Sequence, residues 1–490
     1  MTMRLASLTL AAALTGCAIG PSTRVKTPAP RPVALRDTLV APSSRGFLDS
    51  LARARDSLRA DTAAPTLWKP ATLALDSTAD LPWLEVLKDP ALVELVRTAL
   101  ANNRDLQAAV ARVREYRASL GASRGNLFPQ LTGNATYSTN QSIFGAFPPQ
   151  TFDAVRITAD LSWELDFWGR LRRQSEAAKF DWQGRDEDRR AAVLSLVSSV
   201  AQTYLQLREL DQSTRLTEQT LASRQQTLEL SRRRFSQGVI SELDVRQFEA
   251  AAAAPAATLA TIARQRAQTE NQLSLLLGQQ PGPITRGHSL EEAVQAIQVP
   301  DSVSGDLLLR RPDVLSAQRD WQGATARVGV AVGNRLPRFV VTGTYGTQRP
   351  DFNRLFTSNA EVYQLAGGIS IPLFTGGRLV NEQRAARARA EQARARYEQA
   401  VLSAAREASD ALAGLRLSRD QLAAQETQTQ ALRRAFALAE KRYESGISSY
   451  LEVLDAQRGL FAAELQLVQV ERQYLSATVQ LYRALGGSWE

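Results

Sequence analysis

In 490 residues the chain has one histidine, His288, and one cysteine, Cys17. A multi-histidine metal site is therefore unavailable, and a Ser-His-Asp relay would have to use His288. That residue ends Pro281-Gly282-Pro283-Ile284-Thr285-Arg286-Gly287-His288, a segment without a nucleophile elbow, so it reads as a solvent-exposed linker histidine. Gly376-Gly377-Arg378 lacks the lysine and the length of a phosphate loop and reads as a strand-to-helix junction. The spacing that can do chemistry is Glu452 with Asp455, three apart at a helix start and so on one face. The same pattern also arises as an ordinary acidic turn, favoured by the helix macrodipole. The expectation is a non-enzyme with no metal and no cofactor.

The elements that carry this pair come from a unit written twice. Pro129 and Pro337 stand 208 residues apart, as do Gly169-Arg170-Leu171 and Gly377-Arg378-Leu379, and Leu277-Gly278 and Leu485-Gly486. The run Arg234 to Val245 pairs with Arg442 to Val453 at the same offset. A fixed offset at four landmarks implies two structurally equivalent halves. The reading divides the chain into a signal at 1–16, a linker at 17–80, repeats at 81–280 and 305–487, and an inter-repeat linker at 281–304.

Within each repeat the hydrophobic period switches. From Trp83 to about Ser123 the spacing is helical, with Asp89 and Pro90 suited to a helix start. After Pro129, Leu131, Gly133, Ala135 and Tyr137 alternate with polar residues. Beyond a loop expected from Gln141 to Asp153, alternation resumes with Val155, Ile157, Ala159, Leu161, Trp163 and Leu165. This is the period-2 signature of a strand with one face in oil and one in water. Strands are expected at about 130–140, 154–166, 338–347 and 361–373. A pair of hairpins on a soluble core is the alternative, but Arg156, Asp160 and Glu164 on one face need water. Four strands cannot close a membrane barrel, so copies of the chain must supply the rest. Two copies give eight strands and three give twelve, and the pattern does not choose between them.

Each second strand leads into a run without proline, 168–237 and 377–445, long enough for a helix of about 100 Å. The composition, rich in alanine, arginine, glutamine and glutamate, is of coiled-coil type. Gly238 and Gly446 end these helices. Ser241 and Ser449 are expected to cap returning helices at 241–278 and 449–485. Pro255 is expected to kink the first return, where the second has Ala463.

The N-terminus has Arg4, an apolar stretch from Leu5 to Leu14, and then Thr15-Gly16-Cys17, the order of a secretory signal. Its ending resembles a bacterial lipoprotein signal, which implies a covalent lipid on Cys17. Ala18 follows rather than aspartate, which in that pattern points to the outer membrane. With a single cysteine no internal disulfide can form. No segment approaches 18 unbroken apolar residues, so any membrane crossing is made by strands. The net charge of +9 does not indicate nucleic acid, because Arg384, Arg387, Arg389, Arg394 and Arg396 interleave with Glu382, Glu391 and Glu398.

The duplicated helix, two strands, long helix and return helix resemble the TolC-like outer membrane factors, in their lipoprotein branch. The motifs are Arg310-Arg311-Pro312-Asp313, Leu336-Pro337-Arg338-Phe339, Ile371-Pro372-Leu373-Phe374-Thr375-Gly376-Gly377-Arg378 and Tyr443 through Asp455, within about Trp83 to Gly487. The resemblance implies a mainly α chain with a small β membrane part, four strands of a trimeric twelve-strand barrel, and long helical hairpins forming a periplasmic tunnel. It implies a homotrimer, a periplasmic adaptor and an inner-membrane pump as partners, and a passive efflux duct as function. A lipoprotein duct for type I protein secretion and a non-channel coiled-coil scaffold are the alternatives. It places a gate at the second hairpin tip, with Tyr443, Glu452 and Asp455, and with Asp244 at the equivalent place in the first repeat. Adaptor contact is expected at Gly238, Val239, Ser241, Gly446, Ile447 and Ser449. The arginine found near the tip in some relatives is unmatched, Ser448 standing there. The long stretch from Ser43 to Ala64 also departs from the family.

Overall fold

The computed structural model describes residues 89–142, 149–296, 307–357 and 359–487. The expected signal, the lipidation site Cys17, the linker at 17–80 and most of the Trp83-to-Asp89 approach lie outside the described residues. The elements run α1 (Pro90–Asn102), α2 (Arg104–Gly125), β1 (Gln130–Ser142), β2 (Gln150–Leu165), α3 (Arg170–Ser236) and α4 (Glu242–Leu276). There follow α5 (Leu290–Ala296), α6 (Leu307–Arg310), α7 (Pro312–Gly333), β3 (Arg338–Arg349), β4 (Glu361–Ser370), α8 (Arg378–Glu444) and α9 (Tyr450–Ala484).

The duplication is conformational as well as chemical. α3 and α8 are each 67 residues and α4 and α9 each 35, and all four pairs of ends are offset by 208. The left-handed glycines match too: Gly169, Gly238 and Gly278 pair with Gly377, Gly446 and Gly486 at that offset, all with positive φ. A Cβ in this region is strained, so glycine stops each long helix and turns the chain.

The chain divides into two compact units, each drawing on both repeats. The first holds 110–187 and 315–400 and contains one antiparallel sheet in the order β1-β2-β3-β4. Its register pairs apolar with apolar across all four strands. Leu131 faces Leu161, which faces Gly343, which faces Leu365; Ala159 faces Tyr345, which faces Tyr363. This face is left uncovered within the chain, with Leu131 72%, Tyr363 84% and Leu365 78% exposed. The alternate residues make a polar face, on which Asp160 accepts hydrogen bonds from Asn134 (2.6 Å), Thr344 (2.6 Å) and Thr158 (3.1 Å). A sheet with one wet and one bare apolar face is built for a lipid boundary.

Each strand differs from the sequence expectation mainly at one end, β3 by running on to Arg349. The first hairpin extends further, pairing Gln141 with Thr151 and Ser142 with Gln150; both faces are polar there, so no alternation marked it. β4 stops at Ser370 rather than near 373, because Pro372 has no N–H for the ladder.

The second unit holds the described parts of 89–109, 188–314 and 401–487. The single helical run expected before the first strand is two helices. Asn103 leaves the helical region, at ψ 128°. Its side chain caps α2 through the Leu106 N–H (2.9 Å) and donates to the Leu276 carbonyl (3.0 Å). Asp89 caps α1 as expected, accepting from the Ala91 N–H at 2.9 Å. It also accepts from the Tyr204 hydroxyl (2.7 Å) and the His288 N–H (3.2 Å), so one carboxylate ties the inter-repeat linker to α3. Gly287 is required at this knot, since a Cβ would lie 1.9 Å from an Asp89 oxygen. Burial and the Asp89 hydrogen bond push the Tyr204 hydroxyl well above its ordinary range. Arg311 of the Arg310-Arg311-Pro312-Asp313 motif is buried, bonding Asp313 (2.8 Å), Glu407 (2.6 Å) and the Ala484 carbonyl (2.9 Å). The motif thus fastens the start of the second repeat to its own end.

One core carboxyl is poorly satisfied. Glu471 on α9 is 7% exposed and takes a single long hydrogen bond from Gln212, at 3.4 Å. It borders a cavity of about 560 Å³ shared with Glu291, Glu426, Glu464 and Arg433. Burial first, and then the charges of Glu291 and Glu426, raise its pKa to about 7. The folded form therefore holds a proton that the unfolded chain releases near the ordinary glutamate value. This contribution to stability is present below the unfolded pKa and is lost as pH rises through about 7. We expect Glu471→Gln to be more stable than the parent at pH 8 and to lose that advantage at pH 4, as read by thermal unfolding at both pH values.

Candidate functional site

The two hairpin tips lie in the second unit, where the equivalent sequences of the repeats are finished differently. In the first tip, Ser241 and Asp244 form a reciprocal capping box. The Asp244 carboxylate accepts from the Ser241 N–H (3.0 Å) and hydroxyl (2.7 Å), and the Ser241 hydroxyl accepts from the Asp244 N–H (3.3 Å). Asp244, expected at the gate, is thus engaged by its own helix end. In the second tip Ser449 has the N-cap backbone, but its side chain makes no capping hydrogen bond, contrary to the expectation that both serines cap. The corresponding carboxylate, Glu452, turns instead to Arg442, at 3.7 Å. Both partners are more than half exposed, so this pair adds little stability.

Tyr443, near the end of α8, is half-buried and is the hub of the site. Its hydroxyl accepts a 2.6 Å hydrogen bond from Arg234 of the other hairpin, and its ring meets Tyr450 edge-on at 5.2 Å. Tyr450 in turn packs on Phe248 of α4 at 4.3 Å, and burial pushes its hydroxyl above the ordinary range. The hairpins are therefore clasped by one charged hydrogen bond and three aromatic rings. Glu452 and Asp455 are exposed on α9 next to this clasp, one face of one helix as their spacing predicts. The turn residues Gly238, Val239, Ser241, Gly446, Ile447 and Ser449 are exposed as well, with Val239 67% and Ile447 70%. Two bare aliphatic side chains at adjacent turns are a surface fit for an apolar contact.

Arg234, Tyr450 and Phe248 were not singled out from the sequence. Arg234 carried a signal, being the first residue of the duplicated run, but its partner is 209 residues away. Its equivalent Arg442 contacts Glu452, so the same residue type serves different partners in the two repeats.

The sequence profile described as "Outer membrane efflux protein" matches residues 95–279 and again 303–487, each limit offset by 208. The chain belongs to the outer membrane efflux protein family. It is 36% identical over 412 residues to the solvent efflux pump outer membrane protein SrpC of Pseudomonas putida, covering 83% of this chain and 87% of that protein. It is 31% identical over 420 residues to the probable outer membrane lipoprotein SilC of Salmonella typhimurium, covering 85% and 90%. Among solved structures it is similar to the transmembrane channel CusC, with a TM-score of 0.77 and 30% identity over 87% of this chain and 99% of that one. For this outer membrane efflux protein the fold is thus mainly helical with a small β membrane part, and the site at the tips belongs to an outer membrane channel component of an efflux system.

The clasp yields a measurable coupling. In a double-mutant cycle, Tyr443→Phe with Arg234→Met should show a coupling of about 1 kcal/mol, the size of a partly exposed charged hydrogen bond. The exposed Arg442 and Glu452 pair, treated likewise, should show about zero. Chemical unfolding of the four proteins of each cycle measures the two couplings, and equal couplings would refute the assignment of the clasp to Arg234.

Proposed function

We propose that three copies of this chain close a twelve-strand barrel and that the tips of the helical hairpins gate a passive efflux duct. The observation that carries this reading is the sheet. Among the described residues β1 and β4 each keep an unpaired edge, and an open edge is not tolerated in hydrocarbon. With three copies, each β4 edge meets a neighbour's β1. The exit route is passive: the chain supplies a wall and a gate, and an inner-membrane pump working through a periplasmic adaptor supplies the energy. The exposed turns with Val239 and Ile447 are the adaptor's contact.

At the gate, Glu452 and Asp455 of three chains place six carboxylates around the narrowing, which selects for cations when the duct is nearly closed. Asp244 is assigned to support of the first tip. The capping box holding it favours that role. Cargo of the solvent or toxic-compound kind is supported by the name of SrpC. Cys17 carries the lipid that anchors the N-terminus, supported by the signal-like sequence around it and by the lipoprotein name of SilC.

In planar bilayers the purified oligomer is expected to conduct cations in preference to anions. Glu452→Gln with Asp455→Asn should reduce that preference and raise the frequency of opening. A folded oligomer that never conducts, the double variant included, would count against the channel. Replacement of Cys17 by serine should abolish lipid attachment; an unmodified cysteine in the mature wild-type protein, by mass spectrometry, would remove the lipoprotein assignment.

A further inference from the structure

Helix α4 runs without a break from Glu242 to Leu276 and contains Pro255. Proline has no N–H, so the carbonyl four residues earlier, that of Ala251, loses its helical donor, and the ring crowds it besides. Ala251 is 3% exposed, so water is not at hand to replace the donor.

The donor comes from another helix. Arg224 of α3 places Nη1 2.8 Å from the Ala251 carbonyl oxygen, in a buried setting. Arg224 is itself 5% exposed, and its Nε and Nη2 have no hydrogen-bond partner among the described residues. Its guanidinium lies 5.5 Å from the Phe461 ring centre, and the nearby Arg458 charge opposes its own. A buried cation without a carboxylate is expensive, and the groups that compensate it here are one carbonyl and one aromatic face.

The second repeat supplies an internal comparison. At the 208 offset, Arg224, Ala251 and Pro255 become Leu432, Gly459 and Ala463. Ala463 keeps its N–H, so Gly459 needs no outside donor. Leu432 sits against Gly459 instead, its Cδ2 3.7 Å from where a Cβ would be. The arginine is present where the proline is present and absent where it is absent.

Ala251 stands three residues beyond Phe248, the α4 ring of the interhairpin clasp, so the course of α4 through Pro255 decides where Phe248 arrives. We propose that Arg224 is a positioning residue: by holding the carbonyl freed by Pro255 it sets the direction of the first hairpin tip and keeps Phe248 against Tyr450. The brace is specific to the first repeat and makes that hairpin the fixed wall of the clasp. Its consequence for opening rests on the gate reading above, whereas the brace does not.

The test is a double-mutant cycle on the purified oligomer with Arg224→Met, Pro255→Ala and both, plus Arg224→Lys. Hydrogen exchange reads the brace. Arg224→Met should speed amide exchange of α4 around residues 245–255 on the order of tenfold, the effect of an unmet buried carbonyl. The same change in the Pro255→Ala background should have almost no effect, because the substituted alanine supplies the missing N–H. Arg224→Lys, which can still donate to the carbonyl, should retain most of the protection. An equal effect in both backgrounds, or no effect in either, overturns the brace.

Single-channel recording then reads the positioning. Arg224→Met should change the open probability severalfold, and the double variant should match Pro255→Ala alone. An intact exchange cycle with unchanged open probability overturns the positioning role. If the wild type does not conduct at all, the channel reading fails while the exchange cycle still decides the brace.

Discussion

A strand edge cannot be left open in hydrocarbon, because each unpaired N–H and carbonyl there lacks both water and a partner. That constraint organises this protein. β1 and β4 each keep one free edge, and the apolar residues of all four strands share one bare face. Neither feature suits an isolated chain in water: association through the edges satisfies the first, and the hydrocarbon of a bilayer covers the second. With three copies of a duplicated chain, the ring has three true repeats and six approximate ones. The internal duplication is what lets so few strands per chain circle a wide opening with nearly uniform curvature.

Near-equivalence also explains why the informative residues are the unequal ones. Helix lengths and left-handed glycines obey the 208 offset, since a tilt or length mismatch between repeats would spoil packing around the ring. Side chains near the tips are released from that requirement. Arg234 reaches across to Tyr443, while its equivalent Arg442 turns to Glu452. Tyr450 stands where the first repeat has Glu242, and Pro255 where the second has Ala463. Each difference adds cohesion to the first hairpin or places aromatic and acidic groups on the second.

Much of this was legible in the residues themselves. Long proline-free runs ended by glycine set the helix limits to within one or two residues, because both the driving pattern and the stop signal are local. The strands were equally plain wherever alternation was strict, and obscure at Gln141, Ser142, Gln150 and Thr151, which are all polar. The break at Asn103 was hidden because asparagine is tolerated in helices; what makes it a corner is a distant carbonyl, that of Leu276. The site was legible by halves. Glu452 and Asp455 stand out through the family resemblance, their spacing alone fitting an ordinary acidic turn, but the clasp of Arg234, Phe248, Tyr443 and Tyr450 joins residues about 200 apart, and no local pattern encodes such a meeting. The failed cap at Ser449 is subtler: serine followed three residues on by an acid fits the capping pattern, yet a competing arginine one turn before the stop draws the acid away.

That competition bears on which tip can move. In the first hairpin the capping box closes the acid onto its own helix end, and a buried arginine meets the one carbonyl that the proline leaves bare. The chain between Gly238 and Pro255 is thereby satisfied from within its own hairpin. In the second, Ser449 leaves its cap unmade, Glu452 makes only an exposed ion pair, and Tyr443 and Tyr450 depend on groups in the neighbouring hairpin. Cohesion that is internal survives displacement of the hairpin as a body, whereas cohesion borrowed from a neighbour is what displacement breaks. The first hairpin is thus held from within, and the second, which carries Glu452 and Asp455, is held largely through its neighbour.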